Sequence, residues 1–199
     1  FCNRAKFYAD QARRAPEDKE PYPAVFGKKT GADHIAMYGD KDLGIRGERA
    51  GLVMRCFGTG FLGFAATMTK DALESKISIA DWRGKDTIED MYTDRSPELK
   101  AALEEMDISH PRSKPYVPTN NAMIERTVRL IVGAARALLL TAGFGVHWWT
   151  FACAYFETAY NIGLHWYASL GKMASPWFLR FGHEFPGLRP ILGQMVWFR

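Results

Sequence analysis

Short apolar runs punctuated by glycine fill the first third of the chain, and apolar positions at helical intervals fill most of the rest. Residues 31–39, 49–58 and 60–69 read as three strands with glycines marking the turns between them, and "IRGER" reads as a hairpin connection between the first two. Residues 70–84 read as a helix with Leu73, Ile77 and Trp82 toward one face and Gly84 at its end. A fourth strand is expected over 86–94. A second helix, opened by Ser96 and Pro97 at N-cap and N1, is expected over 96–106. Residues 107–121 read as a strand stub and then a Pro-rich basic loop. Two long helices, 122–143 and 146–170, follow, the first stopped by Gly143. The tail from Ser175 reads as loop-rich, ending on a strand-like "GQMVWFR". No internal repeat is visible.

Three meandering strands followed by alternating helix and strand units make an α/β fold, a mixed sheet with helices on its faces. The third strand reaches the fourth through a helix, so a right-handed crossover is expected to lay the two in parallel.

Composition narrows the class without naming it. With 47% hydrophobic and 24% charged residues in 199, the chain has enough apolar material for one core and is not a disordered polymer. A net charge of +4 is compatible with a polyanionic partner. Cys2, Cys56 and Cys153 are few, scattered and odd in number, so no disulfide framework follows and an intracellular, reducing compartment is expected. The first residues are basic and polar, without the apolar core of a signal peptide, and the absence of an initiator Met suggests a piece of a longer chain. Residues 137–156 form an uncharged run long enough to cross a bilayer, but Gly143 and Gly145 interrupt it, and two packed helices meeting at a turn are expected instead of a membrane span.

The chemistry rests on three acids. Asp33 and Asp94 lie in or just after β-prone runs, and Glu125 opens the long helix. Two strand-borne aspartates and a helix-borne glutamate form a hard oxygen donor set for Mg²⁺ or Mn²⁺ in two-metal phosphoryl transfer. If the first and fourth strands are neighbours, Asp33 and Asp94 meet. Three like charges held together would call for a divalent cation. The plainer reading is that each acid caps a helix or faces solvent. Along the helix, Asn121, Glu125, Arg129, Val132 and Arg136 fall near one stripe, where Glu125 and Arg129 also make an ordinary i,i+4 surface pair. Arg112 and Lys114 beside Tyr116 in the preceding loop suit a nucleic-acid backbone with stacking, or serve solubility alone.

The segment "SKPYVPTNNAMIERTVRLIVGAARALLLTAGFGVHWWTFACAYFETAYN" resembles the retroviral-type integrase core carried by Ty1/copia-like retrotransposon polyproteins. The resemblance runs through Asn120, Asn121, Ala122, Glu125-Arg126, Arg136, Leu138-Leu139, Ala142-Gly143, Trp148-Trp149 and Asn161. Upstream, "YTDRSPEL" is similar to the family's second-aspartate motif and "TGADHI" to its first-aspartate strand. The head "CNRAK" resembles the end of a His-His-Cys-Cys zinc knuckle of which only Cys2 is present. The chain departs from the pattern at Ala122, where Gly is usual, at Arg95, where Asn is common, and at Cys56, where related elements often carry Asp. The Asp94–Glu125 spacer is also somewhat short.

The resemblance implies an RNase H-like mixed sheet flanked by helices. It divides the chain into the end of the zinc-knuckle region and a linker (1–24), the catalytic core (25–170), and a linker with the start of a C-terminal domain (171–199). It implies catalytic and metal-binding roles for Asp33, Asp94 and Glu125, with Asp33 shared between two Mg²⁺ or Mn²⁺ ions, and DNA contacts at Arg112, Lys114, Asn121, Arg129 and Arg136. The activity would be 3′-end processing and strand transfer of element DNA into target DNA, in the nucleus during integration. The alternative is an inactive integrase-like DNA- or protein-binding module. The aromatic surplus around Trp148, Trp149, Phe151, Tyr155, Phe156, Tyr160 and Trp166 leads us to expect a homodimer or higher assembly, or cover by the tail or a further domain.

Overall fold

Lys29–Ala36 (β1), Ala50–Cys56 (β2) and Leu62–Thr67 (β3) form an antiparallel meander, and Asp90–Tyr92 (β4) joins β1 in parallel, giving the order β3-β2-β1-β4. These elements come from a computed structural model that describes residues 22–94, 96–111, 119–187 and 191–193. Cys2, Arg95, Arg112, Lys114, Tyr116 and the tail strand expected over 194–199 lie outside the described residues, as does the side chain of Asn121. The expected mixed sheet is present. β3 and β4 run in the same direction, as the crossover argument requires, but two strands lie between them. The expected strand stub is a single parallel bridge between Asp90 and Ser109.

Ala72–Arg83 (α1) begins at Asp71, whose carboxylate accepts from Glu74 N at 2.8 Å, and stops at Gly84, whose φ of 58° suits glycine. Its buried face is Ser75, Ser78, Ile79 and Trp82, not the expected Leu73, Ile77 and Trp82. Leu73 and Ile77 are exposed, at 65% and 51%. The stripe 75, 78, 79, 82 follows the i, i+3, i+4, i+7 rule, and Leu73 lies on the other side of the cylinder from Trp82. Small serines let the helix settle close to the sheet. Pro97–Glu105 (α2) starts at Ser96 as expected.

Thr119–Ala142 (α3) begins three residues before the expected start, so Asn120 and Asn121 are helical and Glu125 stands in the second turn. It ends before Gly143, and Trp149–Ile162 (α4) follows a short turn. The uncharged run 137–156 is therefore shared between two helices. Among the described residues no helix is long and apolar enough to cross a membrane. The helix expected over 146–170 ends at Ile162, because Gly163 turns extended and His165 Nε2 donates to the Tyr160 carbonyl at 2.9 Å. His165–Tyr167 (β5) and Lys172–Ala174 (β6) then form a hairpin. Pro176–Phe181 (α5), in the tail expected to be loop-rich, is capped by Ser175.

Alternation along the strands sorts the core into two layers. Ala32, Leu52, Met54 and Met91 meet Ile79 and Trp82 of α1 and Leu99 and Leu103 of α2. Ile35, Val53 and Leu62 meet Ile124, Ile131 and Leu139 of α3 and Trp149, Ala152 and Cys153 of α4. On the edge strand, Leu62 N–H donates to Asn161 Oδ1 at 2.8 Å, and its carbonyl accepts from Asn161 Nδ2 at 3.0 Å and Trp82 Nε1 at 3.1 Å.

Candidate functional site

The parallel register of β1 and β4 sets Lys29 opposite Asp90 and Gly31 opposite Tyr92. Asp33 stands two residues beyond Gly31 on β1, and Asp94 follows two residues after the last paired residue of β4, Tyr92. Asp33 lies opposite Val53, which packs in the α3 layer, so its side chain takes that face. Asp33 thus lies on the side covered by α3, and the end of β4 brings Asp94 near enough for its charge to raise the Asp33 carboxyl.

Gly31 seats α3 there. A Cβ at Gly31 would stand 2.7 Å from Phe57 Cζ and 3.4 Å from Ile124 Cβ. Without a side chain at 31, the Ile124 turn rests directly on β1 and Glu125 comes beside the strand ends. Ile124, Thr127 and Ile131 face the core, while Glu125, Arg129 and Arg136 lie on the exposed side of α3. Glu125 Oε2 stands 3.8 Å from the Arg129 guanidinium.

Asp33 feels the other two acids. The Asp33 carboxyl is raised to about 6, first by burial and then by the charges of Asp94 and Glu125, against lowering by the His34 N–H and Lys70. Asp94 is exposed and its Oδ1 accepts from Ser96 N at 3.0 Å, so one oxygen also organises the turn into α2. The strand end is braced by Thr93, whose hydroxyl donates to the Asp94 carbonyl at 2.7 Å and lies 2.8 Å from His110 Nε2. On the other face of β1, His34 Nε2 lies 3.1 Å from Ser75 Oγ. Because that hydroxyl gives its proton to the Asp71 carbonyl, His34 is the donor. Burial and Lys70 push the His34 imidazole below its ordinary value, so it is neutral at pH 7.

A half-buried carboxylate whose proton affinity is raised by two further acids is a donor set that a hard divalent cation suits. Among the described residues, no three His, Cys, Asp or Glu side chains stand close enough to hold a metal in this arrangement. The structure thus brings Asp33, Asp94 and Glu125 into one electrostatic neighbourhood, with Glu125 turned toward Arg129.

Lys70 and His34 are members of this neighbourhood that the sequence pattern does not single out. Lys70 follows β3 directly, and its nearness to Asp33 is created by the sheet alone. Of the expected DNA contacts, Arg129 and Arg136 are exposed along α3, and Arg112, Lys114 and the Asn121 side chain lie outside the described residues.

No family model and no curated protein sequence matches this chain. Among solved structures, the chain is similar to the catalytic core domain of BIV integrase, at 12% identity and a TM-score of 0.54, over 78% of this chain and 95% of that one. It is also similar to a chain of the simian T-cell lymphotropic virus intasome in complex with PP2A regulatory subunit B56 gamma, at 15% identity and a TM-score of 0.60, over 87% of this chain and 59% of that one. The fold is that of integrase catalytic cores, an RNase H-like mixed sheet flanked by helices.

Proposed function

We propose that this chain is an integrase catalytic core of the Ty1/copia retrotransposon type, a polynucleotidyl transferase that processes element DNA 3′ ends and joins them to target DNA. The observation that carries this reading is the nearness of Asp33 on β1 to Asp94, just past the end of the neighbouring parallel strand β4, and to Glu125 of α3, both of which raise its proton affinity. The shared fold supports it.

Asp33, Asp94 and Glu125 would hold Mg²⁺ or Mn²⁺, which when bound supplies neutralisation of phosphate charge and activation of a water or a DNA 3′-hydroxyl. The protein's own share is positioning. The β1–β4 pairing would bring the two aspartates near each other, and the absence of a side chain at Gly31 would let Glu125 approach them. Lys70 adds a cation beside Asp33 that favours its ionised form. Arg129 and Arg136 would take backbone phosphates along α3, while Arg112, Lys114 and Asn121 would guide the strand end. DNA is the partner, acted on in the nucleus, and the intasome named for one structural neighbour supports a homo-oligomer.

A second reading is a module that binds DNA or protein without cutting. It is favoured by the Glu125–Arg129 pair, which gives Glu125 an ordinary helical partner. Calorimetry separates the two. Mn²⁺ binding to the chain that is lost in Glu125→Gln, together with Mn²⁺-dependent nicking of a DNA duplex, is the expected result. Equal binding in both proteins, or none in either, with DNA retained uncut, would overturn the catalytic reading in favour of the module.

A further inference from the structure

In the tail, Leu192 packs into the α3–α4 layer and Gly193 passes over the end of α3. A Cβ at Gly193 would stand 3.1 Å from the Ala142 Cβ and 3.7 Å from the Phe144 ring, and its φ of 82° lies in the left-handed region. Both conditions select glycine, so this close passage is one that few other residues allow. Gly193 delivers the chain to one end of a row of aromatic rings. Phe144 stacks on Trp148 with centroids 5.2 Å apart, and Trp148 meets Phe151 at 5.4 Å. The Arg46 guanidinium, 5.3 Å from the centre of the Phe151 ring, closes the far end. After these contacts Phe144, Trp148 and Phe151 each remain more than a third exposed, and Val146 nearly half.

We propose that residues 194–199 dock on this row within their own chain, laying their apolar side chains over Phe144, Trp148 and Phe151. These residues follow Gly193 directly and lie outside the described residues. Their sequence carries four apolar side chains in succession, Met195, Val196, Trp197 and Phe198. Six extended residues reach about 20 Å, which covers two ring-to-ring steps of 5.2 and 5.4 Å with length to spare. Aromatic side chains gain from offset and edge contacts with other rings, and the row presents open ring surface for them.

Attachment decides between this occupant and a second copy. Trp197 stands four residues after a glycine already seated against Phe144, so it meets the row at a millimolar effective concentration that a separate chain in micromolar solution does not match. Docking removes Trp148 and Phe151 from the aromatic surface open to a second copy and leaves Trp166 on the β5–β6 hairpin. The contact lies at the C-terminal end of α3 and does not depend on the chemistry of the carboxylates.

The test puts the photo-crosslinker p-benzoylphenylalanine in place of Trp197 in the whole chain and irradiates a mixture of isotope-labelled and unlabelled protein. Crosslinks to residues 144–151 of the same chain are expected, in a yield independent of protein concentration. Crosslinks joining labelled to unlabelled chains would overturn the proposal in favour of a second copy, and crosslinks to another surface, or none, would overturn it outright. Chymotrypsin gives a second reading, since a docked segment is cut after Trp197 and Phe198 only when it opens. Trp148→Asp, with its fold checked by a thermal melt, is expected to speed that cleavage about tenfold. An unchanged cleavage rate in that variant would also refute the docking.

Discussion

Glu157 and Asp33 are both acids held above the ordinary carboxylate range, Glu157 mainly by burial and Asp33 by burial and two neighbouring charges. Raised folded-state values mean that the native state keeps these protons longer than the unfolded chain does. The associated stability is fully present below about pH 4 and is lost as pH rises, through about 6 for Asp33 and about 7 for Glu157. Glu157→Gln is a neutral isostere and is expected to match the parent at about pH 4 and exceed it at about pH 8. The gain is on the order of 3 kcal/mol, since each tenfold change in proton affinity is worth about 1.4 kcal/mol. Urea denaturation at the two pH values reads the difference, and equal midpoints at pH 8 would refute it. Under the proposed metal role of Asp33, protons would compete with the cation, so Mn²⁺ affinity is expected to drop when calorimetry is repeated below pH 6. The aspartates were legible in the sequence because each lies in or just after a strand-like run. Lys70 was not, since only the sheet brings it to Asp33. Glu157 looked like one more polar position on an aromatic helix; its environment is made by α5, which the sequence hid inside a loop-like tail.

The seat of α3 on β1 depends on the missing side chain at Gly31. Gly31→Ala places a methyl against the Phe57 ring and Ile124, an overpacking that costs about 1–3 kcal/mol. A lower urea midpoint with an unchanged slope is expected, together with weaker Mn²⁺ binding if Glu125 moves with its helix. Wild-type values for both would show that Gly31 has no such role. The three-strand meander and the existence of the long helices were readable from periodicity and glycine punctuation, whereas the place of β4 beside β1 was left conditional and is supplied by the fold. Two details were not. On α1, the exposed Leu73 and Ile77 drew attention from a serine-lined face that packs because serine is small. In residues 146–170, aromatic content masked a boundary set by Gly163 and by the His165 bond to a terminal carbonyl.

Across the whole molecule, α3 presents Glu125, Arg129 and Arg136 on its exposed side near the carboxylate end of the sheet. DNA binding should weaken with salt, and Arg136→Ala is expected to lower the slope of log affinity against log salt by about 1. Fluorescence anisotropy over a salt series measures it, and an unchanged slope would remove Arg136 from the interface. The aromatic surplus that suggested an assembly is only partly resolved within the chain: Trp149 is buried, while Trp148, Phe151 and Trp166 remain 36%, 37% and 64% exposed. Analytical ultracentrifugation of the full chain tests whether a second copy covers them. The fold itself persists at 12% and 15% identity to its structural neighbours, because inward and outward alternation can be kept by many sequences. The Asn161 amide has a consequence for solubility. By occupying both outward backbone groups of Leu62, it removes a free hydrogen-bonding step from the rim of β3, where a foreign chain could otherwise add itself as a fifth strand. Asn161→Ala should therefore make the protein prone to fibril growth seeded at that rim, faster with rising concentration and visible by thioflavin fluorescence.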